Sequence, residues 1–239
     1  MWETVTNNIK EKGGIIINNA KVIGLSIMDN KINEVIYIDN ETNNESSFQG
    51  DYYFSTMAVK DLIAAMGDTV PPDIKRVSDG LQYRDFITVG LLLNNLKIKN
   101  KTSILTLYDL VPDNWIYIQE REVKVGRLQI FNNWSPYMVS DLKKVWIGLE
   151  YFCNEGDDLW SMSDKDFIQF AIDELHKIDI IDKNEVIDST IIRMPKTYPA
   201  YFGTYSEFEL IKDFTDSFQN LFLIGRNGMH RYNNQDHSM

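Results

Sequence analysis

Cysteine occurs once in the 239 residues, at Cys153, so the chain can form no internal disulfide and no cysteine cage for a metal. Histidine is almost as scarce. His176, His230 and His237 are not spaced with carboxylates in a ligand pattern, and no metal site is expected. Basic residues are the minority, with 24 Lys and Arg against 35 Asp and Glu and a formal net charge of -11 at pH 7. No Lys/Arg cluster supplies the basic face that a phosphate backbone requires, so nucleic acid is not an expected partner. Long apolar runs are missing too. Val89-Gly90-Leu91-Leu92-Leu93 falls far short of the ~20 residues of a membrane span. Met1-Trp2-Glu3-Thr4 lacks a basic start followed by an apolar stretch, so no signal peptide is read and a cytoplasmic location is expected.

What is present is a globular composition, 44% hydrophobic and 12% aromatic, long enough for one large domain or two small ones. Gly13-Gly14 closes a short polar lead, and Ile15-Ile16-Ile17 reads as the start of an extended run. Val22 to Met28 and Ile32 to Ile38 alternate imperfectly around Asp29-Asn30-Lys31, which predicts a hairpin. Asp51 to Thr56 reads as a strand and Ala58 to Met66 as a helix stopped by Gly67 and Pro71-Pro72. From Leu81 the pattern predicts aromatic-rich strands at Tyr83–Leu93, Ile104–Tyr108, Trp115–Gln119, Arg127–Phe131 and Val145–Phe152. A helix follows from Asp164, with Phe167, Ile168, Ala171, Ile172 and Leu175 on one face. Then come a strand from Val186 to Arg193, an aromatic loop holding Tyr198, Tyr201, Phe202 and Tyr205, a helix from Ser206 to Phe218, and an apolar strand Leu221 to Ile224.

The densest polar segment is Gly225-Arg226-Asn227-Gly228-Met229-His230-Arg231-Tyr232-Asn233-Asn234-Gln235-Asp236. It follows the apolar strand directly, at the carboxyl edge where α/β sheets tend to bind ligands. Asn233 to Asp236 has the composition of a helix N-cap, yet no helix is expected after it, which reads as a chain that is part of something longer. The segment resembles the late Gly-Arg-x-Gly-x-Tyr-x-Tyr-x-Asp-Met-Asp motif of the flavoprotein UDP-galactopyranose mutase. Gly225, Arg226, Gly228, Tyr232 and Asp236 match, while His230 stands for a tyrosine and Asn234 for an aspartate. The wider group it resembles is that of FAD-dependent amine oxidases and protoporphyrinogen-oxidase-like proteins. Asp51 to Thr56 with the helix after it, and Leu81-Gln82-Tyr83-Arg84-Asp85, fit the same layout. One piece is lacking: no Gly-x-Gly-x-x-Gly occurs anywhere, so the diphosphate-binding turn of that group is not in this sequence.

The resemblance implies an α+β (α/β) chain: a partial FAD-binding domain over 1–78 and again over 198–239, and a mixed-sheet substrate domain with flanking helices over 79–197. It implies FAD as cofactor in a longer parent, contacted by Val22, Gly225, Arg226, Asn227, Gly228, Tyr232, Asn233, Asn234, Gln235 and Asp236. It implies a small-molecule substrate, a sugar nucleotide among the candidates, met by Tyr83, Arg84, Trp134, Tyr198, Tyr205 and His230. No catalytic residue is assigned. From the residues themselves, Arg84 and Arg193 read first as structural ion pairs, Cys153 as a small buried residue, and Glu150, Glu155, Asp157 and Asp158 as a solvated acidic run. Most of the aromatic block (Trp115, Tyr117, Trp134, Tyr137, Trp146, Tyr151, Trp160) reads as core, with Trp134-Ser135-Pro136-Tyr137 as the exception. The expected function is part of an amine-oxidase-like FAD-dependent oxidoreductase. The alternatives are a mutase acting with reduced flavin, for which the exchange of tyrosine for His230 is unfavourable, and a non-catalytic glycan- or protein-binding domain.

Overall fold

The computed structural model describes residues 2–238. In chain order they form α1 (Trp2–Glu11), β1 (Ala20–Met28), β2 (Lys31–Asp39), β3 (Glu45–Gln49), β4 (Tyr53–Ser55), α2 (Val59–Ala65), α3 (Pro72–Asp79), β5 (Tyr83–Leu93), β6 (Trp115–Tyr117) and β7 (Arg127–Ile130). A single turn α4 (Phe131–Trp134), then β8 (Val145–Cys153), α5 (Asp164–Lys177), β9 (Val186–Pro199), α6 (Phe208–Asp216) and β10 (Leu221–Leu223) follow. Two further single turns, α7 (Gly225–Gly228) and α8 (Gln235–Ser238), end the described chain. Among the described residues no helix is long and apolar enough to cross a membrane. Two compact units result: one from the segments up to Gln82 and from Pro199 onward, the other from Tyr83–Tyr198.

In the first unit, β1, β2 and β3 form an antiparallel sheet in that order. Its first hairpin turns on Asp29 and Asn30, both left-handed at φ 51° and 56°, the paired conformation that two-residue hairpins prefer and that Asp and Asn tolerate. β4 and β10 pair in parallel, Leu221 opposite Tyr53 and Leu223 opposite Ser55. The buried Asn220 side chain ties the two sheets together, accepting from Ile32 N at 2.9 Å and donating to Ile32 O at 2.8 Å and Asp51 O at 3.2 Å. α2 ends at Ala65, just before the left-handed Gly67, and Pro72 opens α3, where a missing N–H costs nothing.

The second unit is a five-stranded sheet in the order β6-β7-β8-β5-β9, covered on one face by α5. Ser163 caps α5, accepting from Asp166 N at 3.2 Å, and Phe167, Ala171 and Leu175 are fully buried against Ile87, Val89, Leu128, Ile147 and Leu149. The pairs β5–β8, β6–β7 and β7–β8 are antiparallel, and hydrogen bonds from Asn94 N to Glu185 O and Ala200 N to Gln82 O bracket β5 and β9 in the same sense. The expected mixed sheet is therefore an antiparallel one.

Several local expectations are corrected. The polar lead is helical, with Trp2, Val5 and Ile9 at i, i+3, i+7 spacing, and Ile15 to Ile17 lies outside any strand. Ile104 to Tyr108 is no strand either. The Asn100 side chain accepts from Thr102 N and Oγ and donates to Ile104 O, and such local bonds compete with a sheet ladder. β9 runs six residues past Arg193, so Tyr198 stands on a strand and not in a loop. A one-turn helix, α8, does follow Asn234.

Candidate functional site

In the first unit the candidate site is built around the carboxyl ends of β4 and β10. The chain leaves β10 through Gly225, at φ +75°, a conformation a side chain would strain. Three residues on, a Cβ on Gly228 would lie 2.6 Å from the Ser55 carbonyl oxygen. The two glycines thus let the α7 turn double back onto the end of β4, where Ile224 N also donates to Ser55 O at 3.0 Å.

Arg226 then turns inward. Its Nε and Nη2 donate to Asn233 O at 3.1 and 2.9 Å, and its guanidinium lies 4.7 Å from the Tyr232 ring centroid. Tyr232 N donates to Tyr201 Oη at 2.5 Å, and Ser238 Oγ donates to Asn233 Oδ1 at 2.7 Å. Arg226 is therefore a clasp on the backbone of the Asn233–Asp236 segment, while Asn234, Gln235 and Asp236 are left exposed. Arg226→Ala is expected to leave the unit folded and to raise amide hydrogen exchange selectively over residues 232–238. Unchanged exchange there would deny the clasp.

His230 sits elsewhere than a substrate contact would. It has no exposed surface, its Nε2 lies 3.1 Å from Ala200 O, and its ring packs 5.7 Å from those of Tyr205 and Phe208. Because a carbonyl only accepts, Nε2 carries the proton. Burial pulls the His230 pKa below 6.5, with the Ala200 hydrogen bond opposing it. Since the unfolded histidine takes up a proton first, this group's contribution to stability is complete above about pH 6.5 and is lost as pH falls below it. The difference in unfolding free energy between the protein and His230→Phe should shrink on acidification from about pH 7 to 5, by at most ~1.4 kcal/mol per pH unit. A pH-independent difference would contradict it.

Val22 is half-buried on β1 and lines an apolar cavity of about 270 Å³ with Leu25, Val35, Tyr53, Ser55 and Thr56. Ser55 Oγ is buried and lacks a hydrogen-bond partner among the described residues. A single ring system fits that volume, and a whole dinucleotide does not. The residues present thus suit one end of an FAD, with the diphosphate turn absent from the sequence.

In the second unit, the face of the sheet turned away from α5 carries a second cluster. Register places Tyr117, Arg127, Glu150 and Thr88 in one row and Trp115, Gln129, Gly148 and Gly90 in the next. Arg127 Nη2 donates to Glu150 and, at 3.0 Å, to Tyr198 Oη, and Gln129 Nε2 donates to Glu150 Oε1 at 2.5 Å. The guanidinium lies 4.7 Å from the Trp115 ring, 4.9 Å from Phe152 and 5.9 Å from Tyr117. Burial alone lowers the Arg127 pKa, but the Tyr198 hydrogen bond and the Glu150 charge outweigh it and hold the group above its ordinary value. Trp134, 47% exposed, meets Trp115 edge-on at 6.0 Å, and Tyr137 is 96% exposed.

Of the expected substrate residues, Tyr198 and Trp134 join this cluster and Tyr205 belongs to the His230 packing. Arg84 is exposed at the start of β5, and Tyr83 has the strand parity of the buried Asp85 and Ile87. Arg193 is structural, pairing with Asp164 and donating to Trp160 O and Met162 O. Cys153 is buried, and desolvation pushes its thiol up to about 11. Glu150 is not solvated but 4% exposed. Its signal in the sequence is one carboxylate inside the apolar run Val145–Phe152, since a charge there requires a partner. No group of three or more His, Cys, Asp or Glu able to hold a metal occurs among the described residues.

A strand-end glycine turn in one unit and a helix-backed antiparallel sheet in the other belong to a fold that solved structures share, among them a mutase and oxidoreductases. Among solved structures the chain is similar to a reduced UDP-galactopyranose mutase, at TM-score 0.76 and 18% identity over 99% of this chain and 48% of that one. It is also similar to a protein from Exiguobacterium sp. 255-15 assigned as a protoporphyrinogen oxidase, at TM-score 0.61, 13% identity, and 94% and 46% coverage. An oxidoreductase from Methanosarcina mazei follows at TM-score 0.58, 13% identity, and 95% and 48% coverage. The chain spans about half the length of these structures, and at such identities the likeness is one of fold. No protein-family model matches the sequence, and no curated protein is significantly similar to it.

Proposed function

We propose that these residues form the flavin-facing late segment and the substrate sheet of an FAD-dependent, amine-oxidase-like oxidoreductase acting on a small molecule in the cytoplasm. The observation that carries the reading is the geometry at the end of β4. There Gly225 and Gly228 seat a polar turn against Ser55, beside the cavity lined by Val22, in a chain whose whole length follows a flavoprotein fold. A bound flavin would supply electron or hydride transfer at its isoalloxazine ring. The chain's own contribution is positioning: Arg226 fixes the backbone at Asn233, and the Tyr232 ring packs against that clasp. Tyr198, Trp134 and, at the start of β5, Tyr83 and Arg84 are the proposed substrate side.

A second reading, a sugar-nucleotide mutase acting with reduced flavin, is favoured by the TM-score of 0.76, and the burial of His230 removes an objection to it. A residue without exposed surface says little about which substrate is bound, so its exchange for tyrosine no longer counts against that chemistry. The assay that separates the two uses the reduced flavoprotein containing these residues. UDP-galactopyranose interconversion is measured beside acceptor-dependent flavin turnover. Turnover with an acceptor and no interconversion is expected, and efficient interconversion without net redox would replace the first reading with the second.

A further inference from the structure

The Arg127 cluster carries an inference that rests on the reading of this sheet face as the substrate side. An arginine sunk among the exposed rings of Trp115, Tyr117 and Phe152 has the ingredients of an anion site: a fixed charge, low-dielectric walls and aromatic platforms. Here that charge is already matched. Glu150, with a side chain 6% exposed, pairs with Arg127, 12% exposed, and Gln129 orients the carboxylate from the other side. Tyr198 adds a neutral oxygen to the same guanidinium. What remains at the surface is a set of rings and hydrogen-bonding edges whose charges cancel. A diphosphate arriving there would lose its hydration and gain no net Coulomb attraction, because the carboxylate repels it at nearly the distance at which the guanidinium attracts it.

We propose that the Arg127–Glu150 pair makes this face selective for uncharged groups, and that Glu150 is the residue that sets the selectivity. The part of the substrate that lies on Trp115 and Trp134 is then a neutral ring or polar neutral group, not a phosphate or carboxylate. Removing either charge converts the face. Glu150→Gln keeps an acceptor for Arg127 and leaves an unmatched cation, which makes an anion site. Arg127→Gln leaves an unmatched carboxylate beside three rings, a pocket suited to a quaternary ammonium ion.

The test is titration of the full chain with inorganic pyrophosphate and with tetramethylammonium, read by tryptophan fluorescence, with Trp115→Phe locating the response and circular dichroism checking each fold. The unaltered protein is expected to show no saturable Trp115-dependent response to either ion. Glu150→Gln is expected to gain pyrophosphate binding by at least ~10-fold, and Arg127→Gln to gain tetramethylammonium binding similarly. Trp115-dependent binding of pyrophosphate by the unaltered protein would overturn the proposal, and so would folded variants that gain nothing. If one variant does not fold, the other and the unaltered protein decide the matter. No flavin enters these measurements, so their failure is distinguishable from failure of the flavin reading.

Discussion

Replacing Glu150 by alanine is expected to destabilise the second unit by about 3–5 kcal/mol, the usual cost of leaving one member of a buried ion pair behind. Arg127 would retain its charge at 12% side-chain exposure with no carboxylate opposite it, and Gln129 would lose its acceptor at Glu150 Oε1. The Tyr198 hydroxyl and the three rings around the guanidinium soften that penalty but carry no negative charge. A double variant, Arg127→Met with Glu150→Leu, removes both charges and is expected to recover most of the loss, since apolar replacements of buried pairs are often close to neutral. Urea unfolding of the two variants beside the unaltered protein measures both effects. A cost for Glu150→Ala below about 1 kcal/mol would mean that the pair is solvated, as surface pairs are.

Gly228→Ala is the second large effect expected, and it acts on the other unit. The added methyl would stand 2.6 Å from Ser55 O and 3.5 Å from Ser55 C and Thr56 Cα, all backbone atoms that cannot rotate away. The α7 turn and the end of β4 must therefore separate, at about 1–3 kcal/mol for an overpacked contact. Gly225→Ala should cost about 1–2 kcal/mol for a different reason: its φ of +75° strains any Cβ, although the nearest atoms are 4.0 Å away. Gly24→Ala is the control, because its new methyl would meet only the Ile36 side chain, at 3.4 Å. Equal stability of Gly228→Ala and Gly24→Ala would contradict the close seating of the turn on β4.

Much of this structure is legible in the residues because its elements are periodic. β5, β8 and α5 begin and end within a residue or two of their patterns, and Asp29-Asn30 announces its hairpin turn by composition alone. The late motif is legible for a related reason. Gly225 and Gly228 are fixed by backbone geometry, which a spacing of glycines records faithfully. Side-chain partnerships across strands are less visible. Arg127 and Glu150 are 23 residues apart in sequence, and only the register of β7 on β8 makes them neighbours. Arg226 illustrates the reverse failure. Its place in the motif suggests a charge directed at a cofactor, whereas the guanidinium bonds to its own loop at Asn233 O. His230 looks ligand-facing within a polar segment, but a left-handed backbone at φ 45° turns it into the packing of Tyr205 and Phe208.

Flavin content is the most direct measurement of the central claim, that the turn from Gly225 to Asp236 and the cavity at Val22 serve a flavin. The protein containing these residues, purified at its native length, would be examined by absorbance and by FAD release on denaturation. The expected result is a yellow protein with about one FAD per chain, whose retention falls on Gly228→Ala. A colourless protein that takes up no FAD on incubation would contradict the account.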